Sequence, residues 1–244
     1  ANQGPGQHLI LNNEDEILAG LMPETGVSVL RYGFQKRAGQ TSFVEDGAIV
    51  VAGKSGANVR YPFHSFGMPG DHNLLNLQTV ILVGHILNID TQTIQATLER
   101  FPGLEHRLER VGEKEGIIFF NDSKATNVEA AIVAIQSFSC PIVLIAGGKQ
   151  KGLRYEKLAA VCVGRVKAAV FIGEAKENLG RAFEGMVPYH AVDGLEEAVP
   201  LAFSLAQKGE AVVLSPACSS FDQFRDYQHR GDVFRTAVER LSHG

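Results

Sequence analysis

The sequence has little of what marks several specialised protein classes. It has no tryptophan and only three cysteines, Cys140, Cys162 and Cys218, without a C-x-x-C pair, so neither a disulfide framework nor a metal site is expected. No apolar run approaches the roughly 18 residues of a membrane-spanning helix. Because 27 acidic residues outnumber 23 basic ones, a nucleic-acid partner is not expected either. The pattern fits a protein of the reducing cytoplasm.

What is present is an ordinary globular composition. The 244 residues are 45% hydrophobic and 20% charged, which suffices for one large or two medium domains. The chain begins with Ala1 and shows no signal-peptide pattern, so we expect it to be part of a longer polypeptide.

The first hundred residues combine short β-rich runs with two helices. Asp46-Gly47 lies between two such runs and predicts a hairpin, so a small antiparallel ribbon is expected here. Helical spacing then follows, with Asp71 as the predicted N-cap of one helix and a second helix near Thr91 to Arg100.

The sequence pattern changes at Pro102-Gly103, where we place a domain boundary between residues 1–103 and 104–244. Beyond it, apolar strands alternate with amphipathic helices. This alternation predicts an α/β fold with a mostly parallel sheet and helices on both faces. Ligands of such sheets bind outside the carboxyl ends of the strands.

Three segments at predicted strand ends are suited to anions. They follow Phe120, Ile145 and Leu214 and comprise the polar stretch 121–127, the glycine- and lysine-containing stretch 147–152 and the hydroxyl-rich stretch 215–224. Helix N-termini and glycine-rich turns offer free backbone N–H groups to phosphate or carboxylate.

Each segment also has a plain structural explanation. Thr126 or Asn127 can cap a helix, and the glycine–lysine stretch can be an exposed turn, since the chain has no G-x-x-x-x-G-K-[ST] loop. Cys218 has no basic neighbour to activate it, and we interpret it as a packing residue.

Five strings occur in a characteristic order: G-D-H-N-x-x-N, G-L-E-H-R-L-E, N-D-S-K-A-T-N, G-G-K-x-K-G and L-S-P-A-C-S-S-F-D-Q-F. In this order the chain resembles the Mur ligase family, and within it the members that add D-glutamate. The resemblance implies that residues 1–103 are the tail of a central ATPase domain and residues 104–244 a complete, Rossmann-like C-terminal domain. The uridine-binding domain, the ATP phosphate-binding loop and the Mg²⁺ ligands would lie upstream of Ala1, so the chain alone is expected to be inactive.

The resemblance also implies the reaction and its partners. A monomeric parent enzyme would use ATP to join D-glutamate to UDP-N-acetylmuramoyl-L-alanine during peptidoglycan precursor synthesis, through an acyl phosphate. Catalysis of this kind needs charge neutralisation and alignment more than a protein nucleophile.

By the same resemblance, individual residues acquire expected roles. His106, Arg107 and Lys124 would be catalytic. The ATP-binding residues would be Asn73, Asn76, Arg107, Asp122 and Lys124. The D-glutamate-binding residues would be Thr126, Lys151, Ser220, Phe221 and Tyr227.

Two alternatives remain open at this point. One is another ATP-dependent amino-acid ligase of the superfamily, such as a folylpolyglutamate synthetase. The other is a non-catalytic α/β module that binds only an amino acid or a nucleotide.

A first prediction concerns Lys151. In the parent enzyme, Lys151→Ala should mostly raise KM for D-glutamate, because the lysine is expected to bind a carboxylate remote from the reacting amine. Steady-state kinetics with D-glutamate as the varied substrate measures this, and an unchanged KM would reject the assignment.

Overall fold

The computed structural model describes residues 3–23, 26–53, 56–64, 66, 70–150, 152 and 154–241. The chain forms two compact units, one from Ala1–Gly67 and Asp71–Pro102, the other from Met68–Gly70 and Gly103–Gly244. Within the described residues, no helix is long and apolar enough to cross a membrane.

In its described part, the first unit contains one sheet and three helices. The strands are β1 (His8–Asn12), β2 (Ser28–Tyr32), β3 (Ser42–Glu45), β4 (Ala48–Val51) and β5 (Val59–Pro62). The helices are α1 (Glu16–Ala19), α2 (Asp71–Ile86) and α3 (Thr91–Arg100). The sheet order follows the sequence, and its core packs strand residues such as Ile49 and Tyr61 against Ile81 of α2.

The predicted antiparallel ribbon is right for only part of this sheet. Asp46 and Gly47 have φ of +47° and +69°, as a hairpin between β3 and β4 requires, and β5 continues the antiparallel pairing. However, β1 pairs with β2, and β2 with β3, in parallel. The segment between β1 and β2 contains α1, which carries the chain back to the starting edge and makes parallel pairing possible.

The two long helices of this unit differ from the expectation in one detail. Helix α3 spans Thr91–Arg100 as expected and is capped by Asp90, whose side chain accepts the N–H of Thr93. Helix α2 begins at Asp71 itself, so Asp71 is the first helical residue rather than the cap. A carboxylate in the first turn still interacts favourably with the helix dipole.

The second unit is a six-stranded sheet covered by helices. Its strands are β6 (Glu109–Lys114), β7 (Ile117–Asn121), β8 (Ile142–Gly147), β9 (Val166–Ile172), β10 (Tyr189–Ala191) and β11 (Ala211–Leu214). Its helices are α4 (Val128–Gln136), α5 (Glu156–Cys162), α6 (Lys176–Phe183), α7 (Leu195–Leu205) and α8 (Tyr227–Glu239). The sheet order is β10-β9-β8-β11-β7-β6, with only β6 antiparallel to its neighbour.

Both faces of this sheet are buried, which confirms the predicted α/β fold class. Ile142 and Leu144 of β8 pack on one side with helices α4, α5 and α6, whereas Val143 and Ile145 pack on the other with α7 and α8. The continuous apolar strands follow from this double burial. The edge strand β6 was not expected, because its sequence E-R-V-G-E-K is largely polar.

Two glycines end β8 in a conformation that other residues rarely adopt. Gly147 and Gly148 have φ of +125° and +141°. A Cβ at Gly148 would meet the carbonyl oxygen of Ser219 and the guanidinium of Arg230. The chain therefore needs glycine here to pass close to the neighbouring loop.

Gly148→Ala should lower the free energy of unfolding by about 3 kcal/mol or more, since backbone strain of about 1–3 kcal/mol adds to displacement of a backbone carbonyl. The matched control is Gly185→Ala, which has φ of +73° but open space around the new methyl, and should cost about 1 kcal/mol. Urea unfolding measures both, and equal losses would contradict this account.

Candidate functional site

The three anion-suited segments meet at one edge of the second sheet. Strand β11 lies between β7 and β8, so the loops after these three strands are neighbours. The backbone N–H of Asp122 donates to Leu214, and that of Gly147 donates to Pro216. The N–H of Lys149 donates to Ser219 at 2.8 Å. The loops thus form one continuous rim at the carboxyl ends of the strands.

A fully buried arginine of α8 ties these loops together. Arg230 donates through Nε to Ser123 Oγ at 2.9 Å and through Nη2 to the Ser123 carbonyl at 2.7 Å. Its Nη1 donates to the Cys218 carbonyl at 3.0 Å and makes a longer contact of 3.5 Å with the Gly147 carbonyl. One side chain therefore contacts the loops after β7, β8 and β11.

The hydrogen bonds of Arg230 go to uncharged oxygens. Burial lowers the pKa of Arg230 to about 10, although the more distant carboxylates of Asp222 and Asp122 oppose this effect. The guanidinium remains charged at neutral pH. Removing a cation from water costs several kcal/mol, so its carbonyl acceptors have to be held in place to compensate. This cation adds positive potential beneath the rim.

Asp122 is a buried carboxylate at the same edge. Its Oδ1 accepts the N–H of Leu108 at 3.2 Å and its Oδ2 accepts the hydroxyl of Ser215 at 2.9 Å. Burial raises the pKa of Asp122 to about 7, while these two hydrogen bonds and the positive charges of Arg107 and Arg230 act in the opposite direction. The group titrates near neutrality.

The predicted pair His106 and Arg107 lies in a loop beside Asp122. The His106 ring is buried, with Nδ1 3.0 Å from the amide nitrogen of Asn121, and it contacts the Tyr227 ring edge-on. The N–H of Lys124 donates to the His106 carbonyl at 3.0 Å. Arg107 is half-buried and close enough to Asp122 to act on its pKa. The loop that contains His106 and Arg107 therefore contacts the loop after β7.

Lys124 and Thr126 lie in the loop after β7. Lys124 is exposed, and its Nζ lies 5.4 Å from the centre of the Tyr227 ring. Thr126 is half-buried. Asn127, rather than Thr126, caps α4 by accepting the N–H of Ala130 at 2.8 Å. The capping explanation is thus correct for Asn127 and leaves the Thr126 hydroxyl available.

The remaining D-glutamate candidates lie in or just after the loop following β11. Ser220 is buried, whereas Phe221 is 67% exposed. Tyr227 is the first residue of α8, and its carbonyl accepts the hydroxyl of Ser123 at 2.7 Å. Lys151, the fifth candidate, lies outside the described residues.

The two predicted adenine contacts lie in the first unit. Asn73 is buried and Asn76 exposed in the first turns of α2, and the Asn76 amide donates to Asn73 Oδ1 at 3.5 Å. The two amide side chains therefore lie on the same face of the helix, three residues apart.

Possible metal ligands and the surroundings of Cys218 are two further features of the structure. Among the described residues, no group of three or more His, Cys, Asp or Glu side chains could hold a metal ion. Cys218 is fully buried, and its Sγ lies 3.1 Å from the Tyr155 hydroxyl. Its burial agrees with the packing interpretation, but the expectation that it has no basic neighbour was wrong, because Arg230 donates to its carbonyl and is close enough for the two side chains to interact electrostatically.

Several residues of the rim were not expected from the sequence. Ser123 lies in the polar stretch 121–127 and Arg230 follows the hydroxyl-rich stretch 215–224, but neither received a role, because nothing local shows that an arginine on a polar helix is buried. The loop after β9 also reaches the rim, where Lys149 Nζ pairs with Glu174 at 2.7 Å and the Glu174 N–H donates to Asp222. In the sequence, Gly173 at the end of β9 was the one residue that could have indicated this loop.

Comparison with known proteins places this geometry in a family. The "Mur ligase, glutamate ligase domain" profile matches residues 106–218. Proteins named UDP-N-acetylmuramoylalanine–D-glutamate ligase from Geobacter metallireducens and Pelotomaculum thermopropionicum are 40% and 37% identical over the whole chain. The chain belongs to the Mur ligase family. It spans about half the length of these curated relatives, 53% and 54% respectively.

Solved structures of Mur ligases share the fold. The chain is similar to UDP-N-acetylmuramate-alanine ligase from Thermotoga maritima, with a TM-score of 0.64 at 15% identity, covering 96% of this chain and 52% of that one. It is also similar to a folylpolyglutamate synthase from Mycobacterium tuberculosis, with a TM-score of 0.56 at 15% identity, covering 85% of this chain and 50% of that one. At such identities the likeness establishes the fold alone.

The raised pKa of Asp122 generates a prediction about stability. An acid whose pKa rises on folding binds its proton more tightly in the folded state, so between about pH 4 and pH 7 its contribution to the free energy of unfolding falls as pH increases, by at most about 1.4 kcal/mol per pH unit. Asp122→Asn removes this dependence.

Urea unfolding of both proteins from pH 4.5 to 7.5 provides the test. The difference in unfolding free energy, wild type minus variant, should decrease steadily across this window. Parallel pH profiles would show that Asp122 does not titrate as described.

Proposed function

We propose that this chain is the D-glutamate-binding half of a cytoplasmic, monomeric, ATP-dependent ligase that joins D-glutamate to UDP-N-acetylmuramoyl-L-alanine in peptidoglycan precursor synthesis. The observation that carries the proposal is the rim where three strand-end loops meet around Arg230, in a chain whose full length aligns with ligases of that name.

The proposed reaction proceeds through an acyl phosphate. The terminal carboxylate of UDP-N-acetylmuramoyl-L-alanine attacks the γ-phosphorus of ATP and ADP leaves. The deprotonated amine of D-glutamate then attacks the acyl carbon, and the tetrahedral intermediate expels phosphate as the amide forms. Both steps develop negative charge on oxygens, so fixed cations and N–H donors stabilise their transition states.

The nucleotide side of the rim is formed by the loop after β7 and the loop that contains His106 and Arg107. Lys124 is exposed and can approach a phosphate group, and Arg107 offers a planar set of donors suited to phosphate oxygens. His106 and Asp122 are buried beside them. In the first unit, taken by itself, Asn73 and Asn76 with their paired amides on α2 are the adenine contacts that the family resemblance implies.

The amino-acid side of the rim is formed by Thr126, Ser220, Tyr227 and the backbone at Phe221, and Lys151, which lies outside the described residues, is proposed as a D-glutamate contact from the family resemblance alone. Hydroxyls, N–H groups and an ammonium can share the two carboxylates of D-glutamate between them. Arg230 joins this side to the nucleotide side because its acceptors, Ser123 and Cys218, lie on different loops.

The chain alone would not catalyse the reaction under this proposal. The ATP phosphate-binding loop and the Mg²⁺ ligands of the parent would come from the part of the relatives' length that this chain does not span. The side chains of the rim would therefore bind and orient the substrates and neutralise their charge.

The folylpolyglutamate-synthetase and binding-module alternatives are weaker. Likeness to folylpolyglutamate synthase rests on fold at 15% identity, whereas the D-glutamate ligases align over the whole chain at 37–40%. A non-catalytic module would not account for similarity to enzymes at that level.

Phosphate release by the parent enzyme tests the proposal. With ATP and UDP-N-acetylmuramoyl-L-alanine, turnover should require D-glutamate, and L-glutamate or a diamino acid should not replace it. Turnover with a folate substrate and L-glutamate instead would support the rival ligase, and no turnover with any amino acid would support the binding module.

Arg107→Ala in the parent should lower kcat, by about 10- to 100-fold, because the nucleotide phosphates lose an aligning cation. Arg110→Ala is the matched control, since Arg110 is an exposed arginine three residues away that pairs with Glu113. Steady-state kinetics with all three substrates measures the effect. Normal turnover of the Arg107 variant would count against the assigned role.

A further inference from the structure

Two strained residues flank Arg107. His106 and Leu108 have φ of +62° and +45°, in the left-handed region that is unfavourable for a non-glycine residue. Such strain persists only where the surroundings impose it, and it concentrates at functional sites. The groups that hold this loop therefore determine where Arg107 is presented.

Glu109, the first residue of β6, is the main group that holds the loop. Its Oε2 accepts the backbone N–H of His106 at 2.9 Å and the side-chain amide of Asn121 at 3.2 Å. Its Oε1 accepts Arg235 Nη2 from α8 at 2.6 Å. One carboxylate thus connects the strained loop to the end of β7 and to α8.

Asn121 extends this restraint to the His106 ring. Its amide nitrogen also donates to His106 Nδ1 at 3.0 Å, and its Oδ1 accepts the N–H of Ser123 at 3.1 Å. In this arrangement the neutral ring carries its proton on Nε2. The ring packs against Gly231, where any Cβ would collide with it. Backbone and side chain of His106 are both fixed.

We propose that Glu109 is a positioning residue for Arg107, acting through the His106 backbone and Asn121, with Arg235 restraining its carboxylate from outside. This inference rests on the proposed function, because it assigns the positioned arginine to the nucleotide. In this role Glu109 would act only through the protein groups that it contacts.

Glu109→Gln in the parent enzyme is the direct test. The glutamine has one acceptor oxygen for three donors, and its own N–H groups face other donors, so the loop should lose its fixed geometry. We expect kcat/KM for ATP to fall about 10- to 100-fold, while KM for D-glutamate changes by less than about twofold.

Glu113→Gln is the matched control. It makes the same chemical change on the same strand, at an exposed pair with Arg110. Its kinetics and melting temperature should equal those of the wild type. Kinetics of Glu109→Gln equal to those of Glu113→Gln would overturn the proposal.

A second variant covers the case in which Glu109→Gln does not fold. Arg235→Met keeps the side-chain stem but removes the outer partner of the Glu109 carboxylate. It should lower kcat/KM for ATP severalfold without changing KM for D-glutamate. An unchanged kcat/KM for ATP would contradict the positioning role. An equal loss of kcat/KM for all three substrates, together with a lower melting temperature, would show a merely structural role.

A double-mutant cycle with Arg107→Ala separates positioning from independent effects. If Glu109 acts through Arg107, the two losses should be strongly non-additive, whereas additive losses would overturn the proposal. Failure of the proposed function is recognised separately, because the wild-type parent would then show no D-glutamate-dependent turnover.

Discussion

A single buried cation organises the site. Arg230 has no exposure to solvent, and it donates to the carbonyls of Ser123 and Cys218 from one end of α8. A buried guanidinium is tolerable only when its acceptors stay in place. The loops after β7 and β11 are therefore fixed relative to each other, and Gly147 and Gly148 allow the loop after β8 to pass beside them.

The same edge of the sheet combines charges of both signs. Asp122 is buried with a raised pKa beside Arg107, while Lys149 is paired with Glu174 at the next loop. If ATP and a dicarboxylic amino acid bind at this edge, as we propose, fixed donors are more useful than free charges, because prearranged groups need no reorganisation as charge develops. The strained loop at His106 is consistent with this requirement.

Much of the second unit could be predicted from the sequence, because doubly buried strands leave continuous apolar runs. The alternation of apolar strands and helices expected beyond Pro102-Gly103 is present in β7, β8, β9 and β11 and the helices between them. The polar edge strand β6 left no such run. In the first unit, local turn chemistry predicted the hairpin at Asp46-Gly47, but parallel pairing of β1 and β2 depends on how the chain crosses over, which no local pattern specifies.

The residues of the candidate site could likewise be predicted from the sequence only in part. The strand-end loops were identifiable because polar and glycine residues interrupt apolar strands. Arg230, Glu109 and Asn121 were not, since their importance arises from contacts between residues as far as 126 positions apart, such as that of Glu109 with Arg235. Family resemblance supplied roles for candidate binding residues such as Arg107 and Lys124, whereas the groups that hold their loops became apparent only from the folded structure.

The central claim is that the loops after β7, β8 and β11 form one binding surface for anionic substrates. Titrating the ¹⁵N-labelled chain with D-glutamate and following backbone amide shifts tests it most directly. The account predicts changes that cluster on residues 122–126, 147–152 and 218–227 and saturate together with one dissociation constant. Changes confined to another face, such as residues 184–189, or separate dissociation constants for the three loops, would contradict it.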